Sequence, residues 1–599
     1  MCKQGSTDDA PGAGSVESWL AAFAGCLERR DMGALKLLFQ EDCHWRDLLA
    51  FTWNLRTFEG REAIADMAAA VLGDVAPTGW RLRGGEEASD SEGGWEAWFA
   101  FETAAGRCLG HVRLRGGRCW TLFTVMQELK GFEERRGPLR ETGGHDGALR
   151  GRESWAERRA RERSELGATV QPYVVIVGGG QAGIALGARL KRLGVSAVII
   201  EKSKRAGDVW RHRYKSLCLH DPIWVCHLPY MSFPDHFPLY PSKDQLADWL
   251  EMYVQVMDLD YWTSTTCSSA VWDPEQRQWS VTLDRDGSKT ELRPKHIVMA
   301  TGNYGLPHIP EFPGMDKFHN DVRHSSKYTG GAEFAGKRAV VIGSNTSAHD
   351  ICQDLWEHGA EVTMVQRSST LVVSTKSLRE VLLKPLYSEE ALASGVTTEV
   401  ADLKFASWPY RVLTELHKGA REQMEEQDSE ILQRLRDVGF MLDSGEDGSG
   451  AFLKFLRKGS GYYFDVGASG LIADGAVGLK TGQVQGFSGT GVFLEDGSEL
   501  PADLVVLATG YGPPMTGIAS QIFGTDVTDR IGRVWGLGSG TIGDPGPWEG
   551  ELRNMWAPLR QEGLWIHGGN LLQNRFYSQI LALQLKARQE GLQTPVFGT

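Results

Sequence analysis

The fold of this chain is decided by the stretch Val174-Val175-Ile176-Val177-Gly178-Gly179-Gly180-Gln181-Ala182-Gly183. Its four β-branched apolar residues predict a buried strand, and the apolar residues that recur at helical spacing after it predict a helix. Gly178 permits the tight turn between the two, Gly180 lets the backbone approach a pyrophosphate, and Gly183 lets the helix pack closely on the strand. The stretch therefore predicts a dinucleotide cradle, in which Gln181 and Ala182 open the helix toward the phosphates.

The residues that follow this first cradle complete a βαβ unit. Gly194 stops the helix, the strand Val198-Ile199-Ile200 comes next, and Glu201 ends that strand. A carboxylate at this place accepts hydrogen bonds from ribose hydroxyls. We therefore expect a dinucleotide site that includes Glu201 and Lys202, although the same pattern also occurs in βαβ units that bind nothing.

A second and less complete cradle starts at the strand Ala339-Val340-Val341-Ile342. It continues through Gly343, Ser344, Asn345, Thr346 and Ser347. Asn345 replaces the middle glycine, which we expect to be tolerated because asparagine visits left-handed backbone conformations more readily than most residues. The pattern predicts a second nucleotide site.

The residues after the next strand distinguish the two coenzymes. The strand Val362-Thr363-Met364-Val365 is followed by Gln366, Arg367 and Ser368. A cation at this place pairs with a 2′-phosphate, which Glu201 would repel. This assigns FAD or NAD to the first cradle and NADPH to the second, where Ser368 lies beside Arg367. The alternative is a surface arginine on an NADH site.

Two similar strands bracket the second cradle. They are Ile297-Val298-Met299-Ala300-Thr301-Gly302 and Leu504-Val505-Val506-Leu507-Ala508-Thr509-Gly510-Tyr511. We expect the chain to leave the first nucleotide domain after Gly302, to build an inserted domain and to return near Gly510. Thr301 and Tyr511 are further expected cofactor contacts. Two nucleotide sites that face each other allow hydride transfer from NADPH to a flavin.

Residues from about 16 to 130 alternate helical periodicity with aromatic strands and predict a separate α+β unit. Its segment 37–47 resembles the cone-shaped domain of the SnoaL and nuclear-transport-factor type. The cluster His44, Arg46 and Asp47 either lines a cavity or forms a hydrogen-bonded structural cluster, and we favour the second. Residues 136–170 predict a linker with a solvated helix, because acidic side chains interleave its arginines and disfavour a basic nucleic-acid arm.

The amino-acid composition excludes several classes of protein. The 599 residues carry a formal net charge of −13 and 41% hydrophobic residues, which excludes a disordered or collagen-like chain and disfavours nucleic acid as the principal partner. The nine cysteines are scattered, with no metal-site spacing, as expected of reduced thiols. Met1–Ser6 lacks a secretory signal, and no stretch is apolar enough to span a membrane. We expect a cytoplasmic protein without membrane or nucleic-acid partners.

Several further motifs resemble those of flavin-containing monooxygenases, over residues 172 to 590. They are Gly207-Asp208-Val209-Trp210-Arg211, Tyr214-Lys215-Ser216-Leu217 and the Ala-Thr-Gly-Tyr box at 508–511. The family fingerprint F-x-G-x-x-x-H-x-x-x-[FY] maps onto Phe318, Asn320, His324 and Tyr328, and Asn320 departs from its glycine. The segment Leu564–Asn570 resembles a subgroup of bacterial and fungal monooxygenases that carries the same small amino-terminal domain.

The resemblance implies a fold and an activity. The fold is α/β with two Rossmann-like domains, a FAD domain with an inserted NADPH domain, plus the amino-terminal α+β cone. The expected boundaries are 1–135 for the cone, 136–170 for the linker, 171–330 and 485–599 for the FAD domain, and 331–484 for the NADPH domain with its helical insertion. The implied activity is insertion of one oxygen atom from dioxygen into a small organic substrate through a flavin hydroperoxide.

The resemblance leaves the substrate class open. Tyr328 ends a fingerprint that closes with tryptophan in Baeyer–Villiger relatives, which favours oxygenation of nitrogen or sulfur. The stretch Leu217-Cys218-Leu219-His220-Asp221-Pro222 is similar to the YUCCA branch, which decarboxylates an indolic 2-oxo acid. Oxidative decarboxylation or Baeyer–Villiger oxidation of an aromatic 2-oxo acid or ketone is therefore the alternative.

The resemblance also suggests site residues. His220 is the best candidate to orient NADP or the peroxide, or else it is a packed histidine. Arg211 is expected to contact the flavin or to lie on the surface, and Trp210 and Asn570 complete the expected cofactor contacts. His324 is expected to stabilise an interdomain hinge.

Two rival functions follow from the same cradles. A pyridine-nucleotide disulfide reductase would need a redox pair near the flavin, for which Cys218 and Cys226 are poor candidates. A flavoprotein scaffold or redox sensor without turnover would need binding only. Substrate, oligomeric state (with a homodimer as one option) and the role of the amino-terminal domain stay undetermined by the sequence.

Overall fold

The computed structural model describes residues 13–83, 89–91, 94–140, 142, 147, 148, 150–302, 306–512 and 516–598. The sequence predictions about Met1–Ser6 lie outside these ranges. None of the helices in these ranges is both long and apolar enough to cross a membrane.

The amino-terminal unit is a seven-stranded sheet with three helices packed against it. Its helices are α1 (Ala13–Arg29), α2 (Met32–Leu37) and α3 (Arg61–Val75). Its strands are β1 (Phe39–Leu48), β2 (Leu55–Glu59), β3 (Thr78–Leu82), β4 (Ser89–Ser91), β5 (Gly94–Glu102), β6 (Gly106–Arg115) and β7 (Arg118–Leu129). The sheet order is β2-β1-β7-β6-β5-β3, with β4 on β5, and β1 pairs in parallel with β7. The unit is α+β, and its assignment to the cone-shaped type stays a prediction.

The remaining strands form five further sheets. In chain order they are β8 (Val174–Val177), β9 (Ala197–Ile200), β10 (Tyr261–Trp262), β11 (Thr265–Asp273), β12 (Gln278–Arg285), β13 (Ser288–Leu292), β14 (His296–Met299), β15 (Asp321–His324), β16 (Arg338–Ile342), β17 (Glu361–Gln366), β18 (Leu371–Ser374), β19 (Tyr462–Asp465), β20 (Gly478–Thr481), β21 (Val484–Phe487), β22 (Gly491–Leu494), β23 (Glu499–Pro501), β24 (Leu504–Leu507) and β25 (Leu564–Ile566).

The remaining α-helices connect these strands. They are α4 (Trp155–Glu165), α5 (Gln181–Arg192), α6 (Asp208–Arg211), α7 (Ile223–Cys226), α8 (Lys243–Val256), α9 (Thr346–Glu357), α10 (Thr375–Leu378), α11 (Glu389–Ala393), α12 (Thr398–Ala406), α13 (Tyr410–Gln427), α14 (Ser429–Asp437), α15 (Gly450–Lys458), α16 (Ala468–Ala473), α17 (Thr516–Phe523), α18 (Thr525–Ile531) and α19 (Leu571–Gln589). A π-helical turn, Arg379–Leu383, follows α10, and short 3-10 turns lie at Gly137–Leu139, Met315–Lys317, Ser325–Lys327 and Gly331–Phe334.

Two parallel five-stranded sheets carry the nucleotide cradles. The first has the order β10-β9-β8-β14-β25 and the second β15-β24-β16-β17-β20. The strands of the second sheet lie, in the chain, between β14 and β25, so the second unit is inserted into the first. The inner strands β8 and β16 are largely apolar and buried, as in a parallel sheet whose faces are covered by helices, whereas the edge strands β15 and β20 carry polar or exposed residues.

Two expected domain boundaries fall inside the second sheet. β15 pairs with β24, and β24 pairs with β16, so residues 321–324 and 504–507 belong with the second cradle. The expected limits 331–484 are therefore too narrow, and the chain returns to the first sheet at β25 and not near Gly510. The sequence of a strand of three or four residues does not show which strand it pairs with, because the partner in a parallel sheet lies far away along the chain.

The helix of the expected linker is docked and not simply solvated. Ser154 caps α4 with a reciprocal capping box to Glu157. Arg159 of this helix is 5% exposed and pairs with Asp258 at 2.6 Å and Asp260 at 2.8 Å. The helix therefore binds the first nucleotide unit through a buried arginine, which corrects the expectation of a wholly solvated face.

The helical insertion lies between the two parallel strands β18 and β19. Helices α10 to α15 make up this insertion, which lies within the range 331–484 where a helical insertion was expected. This segment brings side chains to both of the cavities described below.

Candidate active site between the two cradles

Both parallel sheets direct the carboxyl ends of their strands toward one cavity of about 2280 Å³. Twenty of the residues expected at the cofactor sites line it: Gly178, Gly180, Gln181, Ala182, Glu201, Lys202, Trp210, His220, Thr301, Gly302, Gly343, Ser344, Asn345, Thr346, Ser347, Arg367, Ser368, Gly510, Tyr511 and Asn570. Ligands of open α/β sheets bind at this edge, because loops there leave a crevice next to helix amino ends. Gly183 and Arg211 do not line the cavity.

The first cradle requires its glycines for two different reasons. Gly178 has φ +113°, and a Cβ there would lie 2.5 Å from the carbonyl oxygen of Ala300. A Cβ on Gly183 would lie 2.0 Å from the carbonyl oxygen of Gly178, so Gly183 serves packing of α5 on β8 and does not face a ligand. A Cβ on Gly180 would meet only Val209, at 3.9 Å, so the backbone there stays open to the cavity.

The amino ends of two helices are available to phosphates. The N-cap residues of α5 and α9 are Gly180 and Asn345, and neither helix start receives a side-chain cap from the described residues. Helix amino ends leave backbone N–H groups unpaired and carry partial positive charge, which suits an anion. The cavity thus offers two separate places where a dinucleotide pyrophosphate fits.

Glu201 is held at the end of β9 by backbone donors. Its Oε2 accepts from the Gly179 N–H at 2.8 Å and its Oε1 from the Ser203 N–H at 2.9 Å. The side chain is almost buried but lines the cavity. Each oxygen keeps acceptor capacity for a ribose hydroxyl. The nearby Thr301 Oγ1 is buried without a partner among the described residues, as a group awaiting a ligand would be.

The second cradle reproduces the turn of the first. Gly343 has φ +129°, and a Cβ there would lie 2.4 Å from the carbonyl oxygen of Ala508. Asn345 has φ −96° and ψ −171°, which is extended backbone. The expected reason for tolerating asparagine here, its access to left-handed conformations, therefore does not apply, because this extended conformation is open to any residue.

Arg367 follows β17 and faces the cavity as an exposed side chain. No carboxylate of the described residues forms an ion pair with it. Glu201 occupies the equivalent place in the first cradle. Arg367 differs from it in charge and in having its charged group exposed to the cavity without an ion-pair partner from the described residues. The arrangement would suit a phosphate on the ribose of the second nucleotide.

Arg211 is fully engaged away from the cavity. Its guanidinium donates to the Ala206 carbonyl at 2.7 Å and to Asp208, Asp248 and Glu251 at 3.1, 2.8 and 2.7 Å. These bonds tie α6 to α8. Nη1 and Nη2 of Arg211 each donate two hydrogen bonds to acceptors of the protein. The structure therefore contradicts the expectation that Arg211 contacts the cofactor or the reacting atoms.

His220 reaches the cavity as a half-buried side chain. Its ring packs edge-on against Phe464 of β19, with 4.9 Å between ring centroids. The Phe464 ring in turn contacts the Tyr462 ring, with 4.9 Å between the ring centroids. Tyr462 and Phe455 line the cavity. The insertion therefore adds an aromatic wall next to His220 that the motifs did not indicate, because its members come from α15 and β19.

Two fingerprint residues have structural partners. The ring nitrogens of His324 bond Ser326 Oγ and the Gly510 carbonyl, both at 2.9 Å, which connects β15 with the turn after β24. Tyr328 is 1% exposed and donates to Asp354 of α9 at 2.5 Å. Tyr328 does not line the cavity, so its side chain cannot contact a substrate there.

The amino-terminal polar cluster is structural. Arg46 binds Glu551 through two 2.7 Å bonds, and donates to the Ala406 carbonyl at 2.6 Å. Asp47 accepts from the hydroxyls of Thr124 and Thr52 at 2.6 and 2.7 Å, and burial raises the pKa of Asp47 to about 6. For Arg46 and Asp47 the hydrogen-bonded interpretation of this cluster is confirmed, whereas Nδ1 of His44 is buried without a partner among the described residues.

Cys218 and Cys226 do not form a redox pair. Cys218 is exposed and Cys226 is buried, with its thiol donating to the Asp221 carbonyl at 3.3 Å. Burial raises the pKa of both thiols. Disulfide exchange needs a thiolate, so the structure gives no support to a disulfide reductase.

Comparisons with known proteins agree with this arrangement. Residues 175–430 match the family described as pyridine nucleotide-disulphide oxidoreductase. The indole-3-pyruvate monooxygenase YUCCA1 of Oryza sativa subsp. japonica is 33% identical over 353 residues, which are 59% of this chain and 79% of that protein. The probable indole-3-pyruvate monooxygenase YUCCA9 of Arabidopsis thaliana is 33% identical over 340 residues, 56% of this chain and 74% of that protein.

The fold also resembles a solved one. A cyclohexanone monooxygenase structure aligns with a TM-score of 0.50 and 19% identity, over 70% of this chain and 88% of that chain. Together with the cavity between two cradles, the similarity to the YUCCA proteins identifies the chain as a member of the flavin-containing monooxygenase family, an oxidoreductase with FAD and NADPH as its cofactors.

Proposed function

We propose that FAD occupies the first cradle and NADPH the second, and that the enzyme inserts one oxygen atom of dioxygen into a small organic substrate between them. The observation that carries this proposal is the single cavity that both cradles share. Bound FAD, once reduced by NADPH, supplies the activation of dioxygen. A scaffold without turnover would not need both nucleotides to face one space.

The residues of this chain position the reactants. The α5 amino end would bind the FAD pyrophosphate, and Glu201 would accept from its ribose. The α9 amino end and Arg367 would hold the second nucleotide. His220, fixed by its packing against Phe464, would orient the nicotinamide or the oxygen to be transferred. The aromatic wall of Phe455 and Tyr462 would exclude water from this end of the cavity.

For the substrate, we favour an aromatic 2-oxo acid that loses carbon dioxide on oxidation. The relatives at 33% identity are named indole-3-pyruvate monooxygenases. The cavity has an aromatic wall, and half-buried Arg213 lines it without an ion-pair partner among the described residues. An aromatic ring and a carboxylate would match these two features.

Oxygenation of nitrogen or sulfur is the second candidate. It is favoured by tyrosine and not tryptophan at the end of the family fingerprint. The burial of Tyr328 against Asp354 weakens this argument, because that side chain donates a hydrogen bond to Asp354 and does not line the cavity. Baeyer–Villiger oxidation of an aromatic ketone remains the third.

Product analysis tests these candidates. The FAD-loaded enzyme is supplied with NADPH and with dioxygen that carries a heavy oxygen isotope. Phenylpyruvate, thioanisole and an N,N-dimethyl tertiary amine are then tested one at a time. We expect phenylpyruvate to give carbon dioxide and phenylacetate that carries one heavy oxygen atom. Formation of labelled sulfoxide or amine oxide alone would make oxygenation of sulfur or nitrogen the preferred function. Absence of NADPH oxidation and oxygen uptake with every compound would contradict the monooxygenase proposal.

Replacing Arg213 tests the carboxylate contact. We expect Arg213→Met to raise the KM for phenylpyruvate about 10- to 100-fold, since a bond to a charged group contributes roughly 1.5–3 kcal/mol. Arg213→Lys should recover part of this loss. An equal rise in the KM for an uncharged compound, or for NADPH, would show that Arg213 serves another ligand.

Replacing Arg367 tests the coenzyme assignment. We expect Arg367→Ala to raise the KM for NADPH about 10- to 100-fold with little change for NADH, because only NADPH carries the 2′-phosphate. Arg338→Ala is the matched control: it is an arginine at the opposite end of the same sheet, paired with Asp503 outside the cavity. Equal losses for NADPH and NADH in the Arg367 variant would contradict the assignment.

A further inference from the structure

A second cavity lies outside the active site, between the amino-terminal unit and the helical insertion. Its volume is about 210 Å³. One wall comes from β5, β6 and β7, and the other from the segment that contains α12 and Trp408. This volume is below the roughly 300–1,000 Å³ typical of pockets for drug-sized ligands, so it suits a single-ring compound.

Two tryptophans from the two units form the apolar part of this cavity. Trp120 of β7 and Trp408 meet at right-angle geometry, with 6.1 Å between ring centroids. The Arg113 guanidinium lies 3.4 Å over the Trp408 ring, and that of Arg115 lies 3.2 Å over the Trp120 ring. The cavity therefore presents aromatic and cationic surfaces side by side.

The cations around the cavity are not all neutralised. Arg113 is satisfied by Glu96 at 3.1 Å and by Ser407 Oγ at 2.7 Å. Arg115 and Lys404 also line the cavity, and neither forms an ion pair with a carboxylate of the described residues. After Glu96 offsets Arg113, two positive charges remain, which would attract an anion.

A buried polar group without a partner also borders the cavity. His111 is 3% exposed, and its Nδ1 has no hydrogen-bond partner within the described part of the chain. Burial and the positive charges of Arg113 and Lys404 keep the pKa of His111 well below its usual value, so the ring is neutral. Unpaired buried polar atoms are rare in native proteins and call for a partner such as a ligand or water.

We propose that this cavity is a binding site for a small aromatic carboxylate, separate from the active site. The ring would contact Trp120 and Trp408, and the carboxylate would pair with Arg115 and Lys404. Since the walls belong to two units, the bound molecule would also stabilise their contact. This site gives the amino-terminal unit a ligand-binding role that does not depend on the chemistry of the main cavity.

The test is a titration of the FAD-loaded full chain with benzoate, followed by calorimetry and tryptophan fluorescence. Benzamide serves as the uncharged analogue, and inorganic phosphate as an anion without a ring. We expect benzoate to quench fluorescence and to bind at least about 10-fold more tightly than benzamide, which loses the charged contact, and more tightly than phosphate, which lacks the aromatic contact. Phosphate binding as tight as benzoate would contradict the role of the aromatic walls.

Variants separate this cavity from the active site. We expect Arg115→Met with Lys404→Met to weaken benzoate binding at least about 10-fold. The matched control is Arg118→Met, an exposed arginine on the same hairpin that does not line the cavity. Lys404→Gln alone keeps the test valid if the double variant folds poorly. Unchanged benzoate affinity in the folded variants, or no binding at millimolar benzoate, would overturn the proposal.

Discussion

Glu201→Ala is expected to purify with little or no FAD. The carboxylate accepts the Gly179 and Ser203 N–H groups, so its removal leaves two backbone donors unpaired and also removes the acceptor for ribose hydroxyls. Loss of the charged acceptor costs about 1.5–3 kcal/mol of FAD binding, roughly a 10- to 100-fold lower affinity, and the two unpaired donors destabilise the cradle that holds the flavin. The measurement is the ratio of flavin to protein absorbance after purification, with a titration of the apoprotein with FAD.

Two comparison variants make this result specific. Glu201→Gln keeps an acceptor oxygen of the same shape and should retain an intermediate FAD content. Glu562→Ala removes a partly exposed glutamate of the same unit that pairs with Arg277 away from the cavity, and should keep full FAD content. A flavin content in Glu201→Ala equal to that of the unmodified protein would show that FAD does not lie in the first cradle.

Arg46→Met is expected to destabilise the junction between the amino-terminal unit and the rest of the protein. Arg46 is 1% exposed, and its loss leaves the buried Glu551 carboxylate with Thr57 as its one remaining hydrogen-bond donor in the described part of the chain. Removing one partner of a buried ion pair costs about 3–5 kcal/mol, because the other charge stays buried without compensation. The measurement is the midpoint of the first unfolding transition in urea, since a chain of several units need not unfold in one step.

The chain contains a matched control for this prediction. Arg411 of α13 pairs with Glu59 of β2 at 2.9 Å across the same junction, but the two side chains are 51% and 32% exposed. Exposed pairs contribute about 1 kcal/mol or less, so Arg411→Met should move the midpoint only slightly. Equal shifts in the two variants would contradict the view that burial of Arg46 makes its ion pair important.

The nucleotide cradles were predictable because their requirements are local. Positive φ at the turn demands glycine at Gly178 and Gly343, and Gly183 must be small to pack on its own strand. Such constraints act within ten residues, so the sequence alone shows them. For the same reason the strand, turn and helix of both cradles were expected at the places where the structure has them.

Residues whose role depends on distant partners were not predictable. Arg211 lies in a family motif, yet its partners Asp248 and Glu251 lie 37 and 40 positions later in the chain. The limits of the inserted unit were misplaced because β15 and β24 are short, and only their pairing shows that they share a sheet. Charge and strand propensity do not contain this information.

By itself, therefore, the sequence determined the two cradles, the residues Glu201 and Arg367 at the ends of their second strands, and the family resemblance. Only the tertiary structure decided which side chains share a space. It placed His220 beside Phe464, removed Arg211 from the active site and buried Tyr328. It also brought Arg115 and Lys404 to one cavity. The physical reason is that local backbone geometry is encoded in neighbouring residues, whereas burial and ion pairing arise from contacts between segments tens to hundreds of residues apart.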